Sequence, residues 1–392
     1  MDYQTYRHEL SKHLAGSEIF FPTEEFSTRC ARVRSAMAEA SLDALLLTDP
    51  SDIYYLTGYH TFEVSVHTAL VVTEHQLILQ VPSIETGPAV VTAIVDDIIA
   101  YRWENTSEVI EPLCDALAQS SAIGIDGMSA GLRYGIISQL QQRLGASRFI
   151  EGGFVLDRIR IVKSEAELVC LQHSATITSA GLAAAISCIR PAMTDNDIAA
   201  EGSRALLAAG SEFMSLQPIV TSGKRSSIIH VNHKRNVISP DDSVFLEFGS
   251  AYQRYTAPMM RMAVAGKASD EMKAVRDLCR QLFDALCPAM KPGHTFDQAA
   301  AAAESILAQR QDLFFSGVFG YAVGAQFPPS WVEGTGYIAR GQQRVFEKNM
   351  VFHLPLCLRL PGRWGIGLSD TVLVTDNGAV PITNNDWQIH EC

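Results

Sequence analysis

Apolar residues near the start of the chain follow helical spacing first and strand-like runs afterwards. An amphipathic helix is predicted from four apolar residues at helical spacing, which are Phe26, Cys30, Val33 and Met37. The run Ala44–Leu47 predicts a strand, and Ala69–Val72 with Leu77–Val81 flank a short polar turn, as in a β-hairpin. A further strand at Ala122–Asp126 continues the alternation, so residues 1–152 are predicted to form a compact α/β domain.

The pattern changes after this point, and residues 153–392 are predicted to form a second domain. Ser164 and Glu167 form a capping box that starts a long helix, and similar signals start helices after Thr194 and Thr295. A further helix is predicted at about Ser269–Leu286. The predicted strands are Val244–Phe248, Met262–Val264, Met350–Leu354 and Thr371–Val374. This order predicts an α+β domain with helices on one face of a largely antiparallel sheet.

The segment Gly317–Gly334 combines glycines, adjacent prolines and aromatic residues. That composition predicts a long loop. Such a loop either bends round a ligand or is a structural Ω-loop.

One carboxylate interrupts the apolar strand Val244–Phe248. In an extended strand Glu247 shares a face with Phe245, while the opposite face is wholly apolar. Because burying an ionised carboxylate without a partner is costly, Glu247 is predicted to be either a paired structural acid or a group in a functional pocket.

Composition limits the classes of function. With 392 residues, 47% hydrophobic and 19% charged, the chain is a globular protein, and its net charge of -12 disfavours a nucleic-acid partner. No apolar run approaches a membrane span and the first residues are polar, so a cytoplasmic protein without a membrane partner is predicted. The cysteines form no CxxC or Cys/His cluster, which disfavours a zinc site and a disulfide framework.

The order of motifs in the second domain resembles the creatinase/aminopeptidase P superfamily. These motifs are Arg158-Ile-Arg-Ile-Val-Lys-Ser164, Gly249-x-x-Tyr252-x-x-Tyr255, Gly320-x-x-x-Gly324, Met350-Val-Phe-x-Leu354 and Asp370-Thr-Val-Leu-Val-Thr375. The resemblance covers nearly the whole chain. It implies a small α/β N-terminal domain followed by an α+β "pita-bread" catalytic domain.

Metal-dependent members of that superfamily bind two ions with two Asp, one His and two Glu. The resemblance places these positions at Glu247, Pro258, Tyr321, Pro355 and Ser369. Only Glu247 is a good ligand for a hard cation, since proline has no side-chain donor. The resemblance therefore implies an enzyme without a metal or other cofactor.

Two metal-free branches of the superfamily are relevant. Creatinase-like enzymes hold a guanidinium group with two glutamates, but the matching positions here are Met260 and Pro355. The ectoine hydrolases are more similar. The matching runs are Leu56-Thr-Gly-Tyr59 with Val66-His67, Arg254-Tyr255-x-x-Pro258-x-x-Arg261, Gly320-Tyr-x-x-Gly324 with Pro328-Pro-x-Trp331, and Met350-x-Phe-His353.

The resemblance to ectoine hydrolases implies roles for individual residues. Glu247 is the expected nucleophile on the carbon of a cyclic amidine, and His230 is expected to move protons, with His233 as the alternative imidazole. The expected substrate contacts are His67, Tyr255, Arg261, Tyr321, Trp331, His353 and Asp370, and Phe327 could join the aromatic residues. A homodimer is expected, with His67 as a contact to the partner's active site.

The sequence therefore predicts a metal-independent C–N hydrolase that acts on a small molecule such as ectoine. A creatinase-like amidinohydrolase with a different clamp is the first alternative. A non-catalytic protein that kept the cleft as a binding site is the second.

Overall fold

The computed structural model describes residues 2–105, 107–214 and 216–392. These residues divide into two compact units, Met1–Arg160 and Ile161–Cys392. The division falls later than the predicted boundary after Gly152, because the helix Phe154–Arg160 packs against the helix Thr23–Glu39 of the first unit.

The first unit is an α/β domain. Its helices are α1 (Tyr3–Leu14), α2 (Thr23–Glu39), α3 (Pro50–Thr57), α4 (Thr86–Thr92), α5 (Ser107–Leu117), α6 (Tyr134–Leu144) and α7 (Phe154–Arg160). Its strands are β1 (Ala44–Leu47), β2 (Ala69–Thr73), β3 (Leu77–Pro82), β4 (Asp97–Tyr101), β5 (Ile123–Ile125) and β6 (Phe149–Glu151). They form one sheet in the order β4-β3-β2-β1-β5-β6. Leu45 and Ala44 belong to separate apolar clusters, so both faces of the sheet are covered.

The second unit has the predicted α+β composition. Its helices are α8 (Glu165–Cys188), α9 (Asp195–Ala208), α10 (Asp270–Ala289) and α11 (Phe296–Leu307). Its strands are β7 (Ile219–Ser222), β8 (Ser243–Phe248), β9 (Met259–Val264), β10 (Gly320–Val323), β11 (Val332–Ile338), β12 (Val351–His353), β13 (Leu356–Leu360), β14 (Trp364–Leu368), β15 (Thr371–Thr375), β16 (Gly378–Pro381) and β17 (Ile389–Glu391). The predicted capping boxes at Ser164, Thr194 and Thr295 are confirmed.

Two sheets and a hairpin make up the β-structure of this unit in the residues described. The sheets have the orders β17-β9-β8-β7 and β11-β10-β12-β15-β16, and β13 pairs with β14. Most pairings are antiparallel, and β17 joins β9 in parallel. The helices pack in pairs, α8 with α9 and α10 with α11.

The strand β8 has the two-faced pattern that the sequence predicts. Val244, Leu246 and Phe248 pack in the cluster that contains α8 and α9. Phe245 belongs to the other large cluster of the unit, and Glu247 shares its face. Because β8 is paired on both edges, by β7 and β9, the backbone of Glu247 is held within the sheet.

The segment Gly317–Gly334 is not one long loop, so that prediction is wrong. Its ends belong to β10 and β11, which pair antiparallel with a register shift between Tyr321 and Val323. Glycine and aromatic residues obscure the alternation of apolar and polar side chains along these strands. Pairing of β10 with β11 and with β12 stabilises the strands.

Helix α8 is long and apolar enough to cross a membrane, contrary to the prediction that no such run exists. Half of its most apolar stretch is buried within the protein, and it packs against α9 and β8. We therefore interpret α8 as a core helix of the second unit.

Replacement of Gly202 by alanine is expected to destabilise the second unit by about 1–3 kcal/mol. Gly202 lies in α9, and a Cβ there would overlap the buried ring of Phe248, the neighbour of Glu247 in β8. The matched control is Gly135→Ala in α6. A Cβ there would have no atom within 4 Å, and the higher helix propensity of alanine should stabilise the helix. Denaturant unfolding of both variants tests the packing, and equal stability changes would contradict it.

Candidate active site

A cavity of about 310 Å³ opens beside β8 within the second unit. Its apolar lining includes Ile219, Phe245, Met260, Val318, Pro355 and Cys357. Its polar lining consists of Ser226, His230, Glu247, Ser316 and Tyr321. A mostly apolar pocket with a few converging polar groups is the usual form of a small-molecule site.

Glu247 is the acidic group of this cavity. Its cross-strand neighbours in β7 and β9 are Ile219 and Met260, which also line the cavity and are apolar. The carboxyl group has no hydrogen bond or ion pair within the described part of the chain, and only 7% of the residue is exposed. Burial raises the pKa of Glu247 from its ordinary value of 4.5 to about 8, so the acid is protonated at neutral pH.

His230 lies at the edge of the same cavity, and its side chain is exposed. Its φ of 57° is a left-handed conformation that residues other than glycine rarely adopt. The segment is anchored by Asn232, whose Oδ1 accepts a hydrogen bond of 3.2 Å from the Val220 backbone N–H in β7. The ring of His233 instead places Nδ1 2.7 Å from Asn232 Oδ1 and is not part of the cavity lining among the described residues.

A hydrogen-bonded chain of side chains supports the cavity wall at Tyr321. The Trp331 indole donates to the Tyr321 hydroxyl over 2.8 Å. That hydroxyl lies 2.7 Å from His353 Nδ1, and His353 Nε2 lies 2.6 Å from Ser369 Oγ. Ser369 Oγ also accepts from the backbone N–H of Met260 over 2.6 Å. The chain fixes the orientation of Tyr321 relative to β9.

Burial determines the protonation states in this chain. It lowers the pKa of His353 to about 3, so the imidazole is neutral and one ring nitrogen must accept. Burial, with the charge of Glu247 as a second cause, raises the pKa of Tyr321 well above its usual value, so the phenol keeps its proton. In the tautomer with hydrogen on Nδ1, Tyr321 accepts from His353 and can turn its own proton toward a ligand.

Tyr255 and Arg261 were predicted as substrate contacts, and the structure corrects both placements. Tyr255 is fully buried, and its hydroxyl donates to Glu167 Oε1 over 3.0 Å. Arg261 faces the other side of β9 from Met260 and pairs with Asp386 at 3.1 Å. Neither side chain is part of the cavity lining in the described structure.

The remaining predicted contacts lie behind the cavity or away from it. Trp331 and His353 act through Tyr321, as described above. Asp370 accepts from Thr383 Oγ1 over 2.6 Å, and burial raises its pKa to about 6, but it does not line the cavity within the described residues. His67, in the first unit, is buried, and its Nε2 lies 3.2 Å from Gln80 Oε1. Burial lowers the pKa of His67 to about 4.

The cavity also contains residues that sequence reasoning missed. Ser226 lies in the 3-10 turn Gly223–Ser227, and Ser316 precedes β10. Cys357 lies on β13, and burial raises the pKa of its thiol to about 12, so it is an unreactive wall residue. Isolated serines in turns carry no sequence signal that distinguishes them from other turn residues.

The α/β domain, the pita-bread domain and a buried acid in its cleft define a hydrolase of the creatinase-like class. The profile of the "Metallopeptidase family M24" matches residues 169–376, and that of the "Creatinase/Prolidase N-terminal domain" matches residues 29–162. Since the first match spans more than half of the chain, the protein belongs to the M24 family. The predicted fold class is therefore confirmed.

Relatives within this group carry more than one activity in their names. The ectoine hydrolase of Halomonas elongata is 23% identical over 395 residues, covering 94% of this chain and 98% of that protein. The Xaa-Pro dipeptidase of Pyrococcus horikoshii is 24% identical over 354 residues, covering 90% and 96%. The crystal structure of dipeptidase PepE from Mycobacterium ulcerans shares the fold, with a TM-score of 0.83, 23% identity and coverage of 95% and 99%. These similarities support a hydrolase, and the names of the relatives include both an ectoine hydrolase and dipeptidases.

The donor set of this cleft does not fit the metal centre that the family name implies. No group of three His, Cys, Asp or Glu residues suited to a metal ion occurs in the described part of the chain. Tyr321 and Ser369, at two of the metal positions, are hydrogen-bonded to His353. At a third, Pro258 offers a backbone carbonyl, which accepts from Thr371 Oγ1 over 2.7 Å.

Proposed function

We propose that the protein is a metal-independent hydrolase that opens ectoine or a related cyclic amidine. In this proposal Glu247 is the nucleophile and His230 is the acid-base group. The observation that carries the proposal is the unpaired carboxyl group of Glu247, buried in an apolar cavity that His230 also lines. Perturbed acids in clefts are candidates for catalysis, and this one lacks any structural partner within the described residues.

The charge of an amidinium ion suits this environment. A cation beside Glu247 favours the ionised carboxylate, so substrate binding would lower the high pKa of the acid and create the nucleophile. The apolar walls exclude water from the pair, which strengthens the attraction. A cavity of about 310 Å³ is at the lower end of the range for small-molecule sites and suits a single six-membered ring with small substituents.

The reaction needs no metal because the protonated amidine is already activated. One carboxylate oxygen of Glu247 forms a bond to the amidine carbon, and one ring C–N bond of that carbon then breaks. The departing nitrogen takes a proton from the imidazolium of His230. Water, deprotonated by His230, then attacks the bound carbon, which releases an amide product and regenerates the carboxylate. The net change is amidine plus water to amide plus amine.

The creatinase-like alternative has less support from the cavity. A guanidinium clamp needs two carboxylates, but the corresponding positions, Met260 and Pro355, are apolar parts of the lining. The dipeptidase alternative relies on the two-metal site, whose donors are largely replaced. A purely binding role would require neither the acid of Glu247 nor the imidazole of His230 to take part in a reaction.

The test is a proton NMR time course on purified protein whose metal content has been measured before and after chelator treatment. The substrates are ectoine, creatine and an Xaa-Pro dipeptide. We expect ring opening of the amidine at the same rate before and after chelation. Peptide cleavage that disappears with the metal would replace the proposal with a dipeptidase, and binding without turnover of any compound would favour the non-catalytic role.

A further inference from the structure

Asp195 is a fully buried carboxylate for which the proposed mechanism has no role. It is the first residue of α9, and both of its oxygens accept hydrogen bonds from residues 234–236. The backbone N–H of Lys234 lies 3.1 Å from Oδ1 and from Oδ2. The backbone N–H of Asn236 donates to Oδ1 over 3.0 Å, and its side-chain amide donates to Oδ2 over 2.7 Å. The carboxylate therefore holds this segment against the start of α9.

Arg225 connects the same carboxylate to an earlier part of the chain. It lies in the 3-10 turn Gly223–Ser227, and its Nη1 donates to Asp195 Oδ2 over 3.3 Å. Its Nη2 donates to the backbone carbonyl of Asn232 over 2.7 Å. The backbone carbonyl of Arg225 accepts from the N–H of Ile228 over 3.0 Å. The arginine side chain thus closes residues 225–232 into a loop, and Asp195 holds that side chain.

This loop forms one wall of the cavity of Glu247. Ile228, Ile229 and His230 all belong to the cavity lining. The side chain of His230 is exposed, and its ring has no hydrogen bond within the described residues. The position of the imidazole therefore depends on the backbone of the loop.

The backbone at His230 is itself unfavourable without support. His230 and Arg235 have φ values of 57° and 65°, and residues other than glycine keep such conformations only where surrounding contacts hold them. Asp195 supplies contacts on both sides of His230, through Arg225 before it and through residues 234–236 after it.

The burial of Asp195 couples the carboxylate to one conformation of the loop. A buried carboxylate is costly unless an opposite charge and hydrogen bonds compensate. Among the described residues, all donors to the side chain of Asp195 lie within residues 225–236. A loop that moved away would leave the carboxylate buried and without partners, so the two must keep their places together.

We infer that Asp195 is a positioning residue, which acts through Arg225 and residues 232–236 to hold His230 at the edge of the cavity. The inference rests on the proposed function for the chemical role of His230. Proton transfer needs donor and acceptor atoms within about 2.6–3.2 Å, so a displacement of the loop by about 1 Å would slow the reaction. Asp195 itself is not part of the cavity lining in the described structure.

The kinetic test compares the wild type, Asp195→Asn, His230→Asn and the double variant in the ring opening of ectoine. Asparagine keeps the size of Asp195 but loses its charge and one acceptor. We expect Asp195→Asn to lower kcat by roughly 10–100-fold, with little change in KM. In the His230→Asn background the same substitution should change kcat by less than about threefold, because residues that act through one another are not additive.

Two further variants separate the loop from the helix. Arg225→Lys keeps the positive charge but cannot bridge Asp195 and Asn232, so it should lower kcat in the same way. The matched control is Asp197→Asn in the same turn of α9. Its carboxylate bonds to Thr194 within the described residues, and the variant should keep the wild-type kcat.

Limited digestion with trypsin tests the loop without substrate. Lys234 and Arg235 are exposed, and their backbone N–H groups bond to Asp195 and Asn196. We expect Asp195→Asn to be cut after these residues roughly tenfold faster than the wild type, and Asp197→Asn to be cut at the wild-type rate.

The outcomes distinguish this inference from the proposed function. Unchanged kcat in both Asp195→Asn and Arg225→Lys would overturn the inference and leave the proposed function intact. An equally large loss with and without His230 would do the same. If the wild type opened no amidine, the proposed function would fail. Faster cleavage of Asp195→Asn would then support its hold on the loop, and equal cleavage would overturn the inference as well.

Discussion

The variant Glu247→Gln is expected to fold and to lose turnover of cyclic amidines by at least roughly 10³-fold. Glutamine has nearly the same shape as glutamate, but its amide is neither a nucleophile nor an anion. The substitution leaves the backbone pairing of β8 with β7 and β9 unchanged. The measurement is kcat from the NMR time course, with Glu271→Gln, a partly exposed acid paired with Arg363, as the matched control.

The same variant is also expected to change the pH dependence of the free energy of unfolding, which can be measured without substrate. The pKa of Glu247 is about 8 in the folded protein and near 4.5 when unfolded, so the folded state holds a proton that the unfolded state releases. The contribution of Glu247 to the free energy of unfolding is therefore complete below pH 4.5 and is lost as the pH rises through 8. Wild type should lose stability relative to Glu247→Gln over this range, by more than about 1 kcal/mol. Retained turnover in Glu247→Gln would sink the nucleophile assignment, and parallel stability curves would contradict the buried acid.

Replacement of His230 by asparagine is expected to lower kcat by roughly 10²–10⁴-fold. Asparagine tolerates the left-handed backbone of this position better than alanine does, so the variant removes the imidazole with little added strain. The control is His233→Asn, which lies outside the cavity in the described structure and should keep most of the activity. A larger loss in His233→Asn than in His230→Asn would make His233 the working imidazole.

The sequence predicts the helix starts and the strand that carries Glu247, because these elements have strong local signals. Capping boxes, apolar spacing and the carboxylate within β8 each act over a few residues, and the structure has each of them. The charge in an apolar strand that drew attention to Glu247 occurs a second time, in Leu356-Cys-Leu-Arg359-Leu360. Tertiary contacts set the register of Arg359 opposite Gly365 and beside Ser226, and local patterns do not reveal such contacts.

Predictions of binding residues were weaker because they depended on side-chain direction. Tyr255 is an aromatic residue near a predicted loop, yet its partner Glu167 lies on α8, far away in sequence. The position of Arg261 in the sequence predicts a substrate contact, but alternation along β9 turns its side chain away from the face of Met260. The cavity is built from separate segments, at β7, β8, β9, β10 and β13, and their assembly is not encoded in any one of them.

The two glycines of β14 restrict how this site can change its choice of ligand. A Cβ at Gly367 would overlap the ring of Phe245, and one at Gly365 would overlap the Ser226 carbonyl. The backbone of the hairpin β13-β14 therefore packs directly against its neighbours. The main chain, and not a side chain, sets the depth of the cleft at this wall. New specificities, whether evolved or engineered, must therefore arise by trimming or enlarging the side chains that project from the walls.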